Sequence, residues 1–143
     1  MGELKTIHVD REGLREVCQK FNLKLAILFG SYASGKFIKE KSDIDIGILC
    51  KGRNHIIEND LFLIQEFIKL FNNDRVNLTY LNYADPLLLF EVAKNGVLLY
   101  QDRRDRFAEF KITAIKKHLD ARKFYILEDL CLEKFMQKRT GKL

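Results

Sequence analysis

LFGSYASGKFIKEKSDIDIGILC, from Leu28 to Cys50, is the stretch from which the rest of this chain can be read. An apolar run ends at Gly30-Ser31, a short basic loop follows, and a second apolar run opens with Asp43-Ile44-Asp45-Ile46. Alternate side chains of a strand share a face, so both carboxylates fall on one side and both isoleucines on the other. Two carboxylates held that close repel each other unless a cation or a shared proton lies between them. Oxygen donors of this kind suit Mg²⁺, which binds through one or two carboxylates together with substrate phosphates. Gly30-Ser31 ends the preceding strand and is expected to open a helical turn, whose free N–H groups and hydroxyl make a seat for phosphate. One half of the stretch holds phosphate and the other holds metal, which describes a nucleotide site.

Outward from this centre the chain alternates strands and helices. Asp10 is an N-cap for a helix over Arg11 to Asn22, whose Leu14, Val17, Cys18 and Phe21 share a face. Leu23 to Phe29 is a buried strand and Asp43 to Cys50 its partner, with Gly47 leaving room for a close approach. Lys51-Gly52-Arg53-Asn54-His55 is a basic, solvated turn. From His55 to Phe71, Ile57, Leu61, Ile64, Ile68 and Phe71 recur at helical spacing. Asn72-Asn73-Asp74 is turn chemistry. A third strand over Arg75 to Leu81 places Val76, Leu78 and Tyr80 on one face and Arg75, Asn77 and Thr79 on the other. Asp85-Pro86 caps a helix over Pro86 to Asn95 that stops at Gly96 as a C′ glycine. Leu87 to Phe90 is apolar on more than one face, which fits either a buried helix or a partner surface.

Val97 to Tyr100 is a short strand. Arg103 to Lys138 contains no proline or glycine and forms helix, its apolar stripe marked by Phe107, Phe110, Ala114, Ile115, His118, Leu119 and Tyr125 or Ile126. Unbroken, such a helix runs about 50 Å. Either it breaks near Asp120 to Lys123 or its end projects and needs a partner. The pattern predicts an α/β (or α+β) domain.

A chain of 143 residues is one domain, large enough to bury a core without disulfides or structural metal. Its 25 basic and 20 acidic residues give a net charge of +5, which allows a phosphorylated substrate but is an ordinary solvated surface, with no histone-like excess. Aromatic and basic residues do not interleave along one strand face, so a nucleic-acid module is not predicted. Cys18, Cys50 and Cys131 are widely spaced in apolar surroundings and read as reduced core thiols. His8, His55 and His118 are isolated; His118, on an apolar helix face, reads as a core residue. Without an apolar N-terminal region or any apolar run near spanning length, the expectation is a soluble, cytoplasmic protein with no membrane contact.

Gly30-Ser31 followed by Asp43-Ile44-Asp45 resembles the GS…DxD signature of the polymerase-β-like nucleotidyltransferases. From about Leu23 to Ala121-Arg122 the chain looks like their small MNT class, found in prokaryotic toxin–antitoxin pairs. The resemblance implies a mixed sheet flanked by helices with a long C-terminal helix. It makes residues 1–143 a single nucleotidyltransferase domain, with a core over about 10–100 and a helical extension over about 102–138. It also implies Mg²⁺-dependent transfer of AMP from ATP to a tyrosine of a HEPN-type ribonuclease toxin, with a homo-oligomer left open. Asp43 and Asp45 would be the shared ligands of a two-metal site, and Gly30 and Ser31 would grip the phosphates.

This chain departs from the family's pattern in three places. The loop from Tyr32 to Ser42 is one residue longer than usual. Where the family often reads GSxARG, this chain has Gly30-Ser31-Tyr32-Ala33-Ser34-Gly35, so Lys36 stands in for a phosphate-directed arginine. Val76-Asn77-Leu78 carries Asn77 where the family has a third aspartate. An amide oxygen can ligate a metal, but it brings no charge and accepts no proton as a base. The second metal is thereby weakened. Asp74, three residues away, is an outside candidate to replace the missing acid. Two functions follow: a nucleotidyltransferase antitoxin, or a catalytically degenerate member of the same fold that neutralises its partner by contact. Transfer to a small molecule such as an aminoglycoside lacks support, because no second substrate-binding domain fits in this length.

Overall fold

A computed structural model describes residues 9–31, 33, 43–51 and 60–139. The elements in order are α1 (Arg11–Lys20), β1 (Leu23–Phe29), β2 (Ile44–Cys50), α2 (Asp60–Phe71), β3 (Val76–Tyr80), α3 (Pro86–Asn95), β4 (Val97–Gln101) and α4 (Arg106–Arg139). The four strands form one mixed sheet in the order β3-β2-β1-β4, with β1 antiparallel to both β2 and β4 and β2 parallel to β3. This is the mixed sheet flanked by helices that the resemblance implies.

Two apolar clusters sandwich the sheet. On one face Leu14, Val17 and Cys18 of α1 and Leu63, Phe67 and Phe71 of α2 pack against Ala26, Leu28, Ile44, Ile46 and Ile48. On the other, Leu89, Val92 and Ala93 of α3 and Phe110 and Ala114 of α4 pack against Leu25 and Ile27. The alternation along β1 is interrupted once. Leu23 and Leu25 have the same parity yet join opposite clusters, because the register with β2 shifts between them. The extra residue, Lys24, turns the strand over.

Helix ends follow local chemistry. Asp10 caps α1 by accepting from the Glu12 N–H at 3.2 Å, and Asp85 caps α3 by accepting from the Leu88 N–H at 2.8 Å. The first helix ends at Lys20, two residues short of the expected Asn22, because Asn22 takes φ +55 and turns the chain into β1. Gly96 is not a left-handed C′ glycine: it is extended, at φ −71 and ψ 150. A side chain is excluded there for a different reason, since a Cβ would collide with the Val92 carbonyl and Ile27 Cγ2. Residues 52–59, and with them the basic turn and the expected first turn of α2, lie outside the described residues.

Of the two outcomes left open for the last helix, a break near Asp120 to Lys123 or a projecting end, the structure has the projecting end. One continuous α4 of 34 residues runs about 51 Å at 1.5 Å per residue. Among the described residues, its beginning is the part that packs on the domain. Phe110 and Ala114 are buried, and His118 stacks on Phe90 of α3 with ring centroids 4.0 Å apart. Ile115 and Leu119, expected on the packed stripe, are exposed, and so are Phe124, Tyr125, Ile126, Leu127, Leu130 and Leu132 farther along. Cys131 also corrects its expectation, being an exposed thiol on α4. Cys18 is a core thiol whose pKa burial pushes up to about 12. In α3, Leu89 is buried while Leu87 is exposed, so the apolar run Leu87 to Phe90 serves the core on one side only. No helix among the described residues is long and apolar enough to cross a membrane.

Candidate nucleotide site

The site forms where three strands bring their ends to one edge of the sheet. The antiparallel pairing sets Phe29, the last residue of β1, opposite Asp45 near the start of β2. The parallel pairing then sets Asp45 beside Asn77 near the start of β3. The turn after β1, the two aspartates and Asn77 therefore converge without any of them being neighbours in sequence. Asp43 stands just before β2, not inside it.

Gly30 occupies the left-handed region at φ +75, where residues with a side chain are strained. A Cβ at this position would also strike Asp45 Oδ2. Ser31 and Ala33 continue as turn, so the expected helical opening is not present in the described residues; residues 32 and 34–42, including Lys36, lie outside them.

Asn77 ties the pair of acids together. Its Nδ2 donates to Asp43 Oδ2 at 3.0 Å and reaches Asp45 Oδ1 at 3.5 Å. Asp43 and Asn77 are exposed and Asp45 is half-buried. The Asp45 carboxyl is raised above its ordinary range, first by burial and further by the negative charge of Asp43, while the Asn77 hydrogen bond pulls it back down. Two carboxylates this close repel each other, and a cation between them would relieve that repulsion. The donor set fits one Mg²⁺, with two carboxylates in reach and an open side for phosphate oxygens. Among the described residues no three Asp, Glu, His or Cys side chains cluster as a metal site. The described side chain that meets both aspartates is Asn77, and no described contact brings Asp74 to them.

Farther along the same face, Leu81 fills the space left at Gly47, its Cδ2 lying 2.9 Å from where a Cβ would stand. That is the close approach Gly47 permits. Sequence reasoning missed two side chains at the opposite end of β2. Asn82 accepts from the Cys50 N–H at 3.0 Å and so prolongs the sheet edge by a side chain. Asp102 receives Arg106 in a bidentate pair at 2.7 and 3.0 Å, with the Lys51 ammonium 3.9 Å away. Their signal was local: Asp102 and Arg106 are four apart at a helix start. Beside them a cavity of about 270 Å³ opens between Leu49, Leu81, Leu89, Phe110, Thr113 and Lys117, away from the aspartates.

Comparison with known proteins agrees with this geometry. The polymerase beta nucleotidyltransferase family matches residues 12–105, which contain β1 to β4 and every described site residue. The protein adenylyltransferase MntA of Aphanizomenon flos-aquae is 29% identical over 125 residues, covering 81% of this chain and 82% of that protein. A crystal structure of a toxin–antitoxin with AMP-PNP contains a chain with TM-score 0.61 and 26% identity, covering 86% of this chain and 99% of its own. A tri-AMPylated Shewanella oneidensis HEPN toxin in complex with MNT antitoxin gives TM-score 0.55 and 25% identity, covering 85% of this chain and 95% of the matched one. With its sheet order, its glycine turn facing two strand-borne aspartates and these matches, the chain belongs to the polymerase-β nucleotidyltransferase family, in its minimal (MNT) branch.

Proposed function

We propose that this chain is a Mg²⁺-dependent adenylyltransferase that moves AMP from ATP to a tyrosine of a HEPN-type ribonuclease toxin, acting as its antitoxin in the cytoplasm. The observation that carries the reading is the convergence of the Gly30 turn with Asp43 and Asp45 at one sheet edge. The similar MntA is named a protein adenylyltransferase, and similar solved chains come from toxin–antitoxin assemblies, which supports both the reaction and the partner class. All 143 residues act as one domain, with α4 as its extension.

Each group has a role in the reaction. The N–H groups at Gly30 and Ser31 seat the phosphates, and Lys36 supplies a positive charge to them. Asp43 and Asp45 would hold a magnesium ion, which would supply positive charge to the phosphates and to the pyrophosphate leaving group. Asn77 cannot take the proton from the attacking hydroxyl, since an amide is no base at neutral pH. That one residue favours a second reading, a weak or inactive transferase that neutralises its partner by contact.

The two readings part in one experiment. Wild type and Asp43→Ala are incubated with labelled ATP and a HEPN-type toxin as the proposed partner, with and without magnesium. Magnesium-dependent label on the toxin, lost in the variant, is the expected result. Toxin neutralised with no label in any condition leaves contact as the mechanism. Equal ATP affinity with and without magnesium, in both proteins, removes the metal-site assignment.

A further inference from the structure

Both carboxylates that face Asn77 are pure acceptors when ionised, so the amide must turn its NH₂ toward them and its carbonyl oxygen away. The bond to Asp43, at 3.0 Å, has ordinary length, and the contact to Asp45, at 3.5 Å, lies at the limit. Asn77 thus places a neutral donor beside two like charges, at the position where an acid would add a third. A cation bridging the carboxylates would compete for the same lone pairs. With the amide there, the pair has a partner before any cation arrives.

We infer that Asn77 is a positioning residue, a neutral strut that keeps Asp43 and Asp45 aligned without magnesium, so that the cation enters with the nucleotide. This rests on reading Asp43 and Asp45 as the metal pair. Replacing the strut by an acid of the same size converts a self-sufficient pair into three carboxylates on neighbouring strands. Such a cluster would demand the cation for stability as well as for activity.

The test is thermal unfolding of wild type, Asn77→Asp and Asn77→Ala, each with and without millimolar magnesium chloride and no nucleotide. Wild type should melt at the same temperature in both. Asn77→Asp should melt about 4 °C lower without magnesium, a shift of the size one unrelieved repulsion gives, and recover when magnesium is added. Asn77→Ala, which leaves the two carboxylates without their donor, should also gain a magnesium response, smaller than that of Asn77→Asp. A merely structural role for Asn77 would lower the midpoint without making it respond to the cation. The inference fails if Asn77→Asp matches wild type without magnesium, or if wild type responds to magnesium alone as strongly as Asn77→Asp.

Should Asn77→Asp not fold in either condition, the wild-type side-chain NH₂ resonances of Asn77 decide. Signals displaced from exposed-amide values and shifted by Asp43→Ala support the strut, and ordinary values overturn it. ATP binding distinguishes the two levels of failure. Magnesium-dependent ATP binding that survives Asp43→Ala removes the metal pair itself. Binding that is lost in Asp43→Ala, beside an Asn77→Asp midpoint indifferent to magnesium, removes only the strut.

Discussion

Gly30 faces Asp45 so closely that a single added carbon would collide with its Oδ2, and the glycine holds φ +75 there. Gly30→Ala must therefore either open the turn or push the carboxylate aside. The left-handed conformation alone costs about 1–2 kcal/mol for a residue with a side chain. Urea unfolding should register a loss of that order, and magnesium-dependent ATP binding should fall with it. Full stability together with full binding would show that the turn and Asp45 move independently.

Asn77→Asp should trade stability for rate. The new carboxylate offers the nucleophile a base within reach, and general-base help is worth about 10²–10⁴-fold. Labelled-AMP transfer to the proposed partner, measured over a magnesium titration, should rise within that range and depend more steeply on the cation. A wild type already fast, with nothing gained from the aspartate, would mean that another residue acts as base.

The opposite end of the sheet depends on Asp102, whose side chain is only 11% exposed. The Arg106 hydrogen bonds hold its carboxyl below the ordinary range, outweighing the effect of burial. An acid whose pKa is lowered by folding adds stability above its unfolded pKa and loses it as pH falls through the folded one. Asp102→Ala should thus cost about 2 kcal/mol near neutral pH, and the difference from wild type should shrink below about pH 4. Urea unfolding of both proteins at neutral and acid pH checks this. A pH-independent difference would mean that packing, not charge, is what Asp102 contributes.

Much of this was legible in the sequence because the causes are local. Asp43 and Asp45 have a single residue between them, so an extended backbone is enough to put them on one face, and Asp10 and Asp85 announce the helices they cap. The pairing of Asn77 with Asp43 and Asp45 was legible only through the resemblance, since parallel register is a property of the whole sheet. The role of Gly96 was misread because its clash partner Ile27 is remote in sequence. The bulge between Leu23 and Leu25 was invisible, as both are leucines suited to either face. Nor could periodicity say whether α4 breaks near Asp120: a helix without proline or glycine continues unless tertiary packing bends it, and nothing described packs there.

That last point gives a prediction about α4. From Phe124 to Leu132 its large apolar side chains are exposed, and among the described residues none of 122–137 is buried. A segment that adds no burial adds no cooperative stability. Truncation after Ala121 should therefore leave the unfolding free energy within about 0.5 kcal/mol of wild type, as surface changes do. Amide hydrogens beyond Ala121 should exchange quickly in the isolated protein and slow when the proposed toxin binds. Capture of the toxin by the truncated chain should be lost, because an apolar helix of this length is surface that only a partner would cover. A large drop in stability on truncation would show that the segment folds back on the domain, and undiminished capture would place the interface elsewhere.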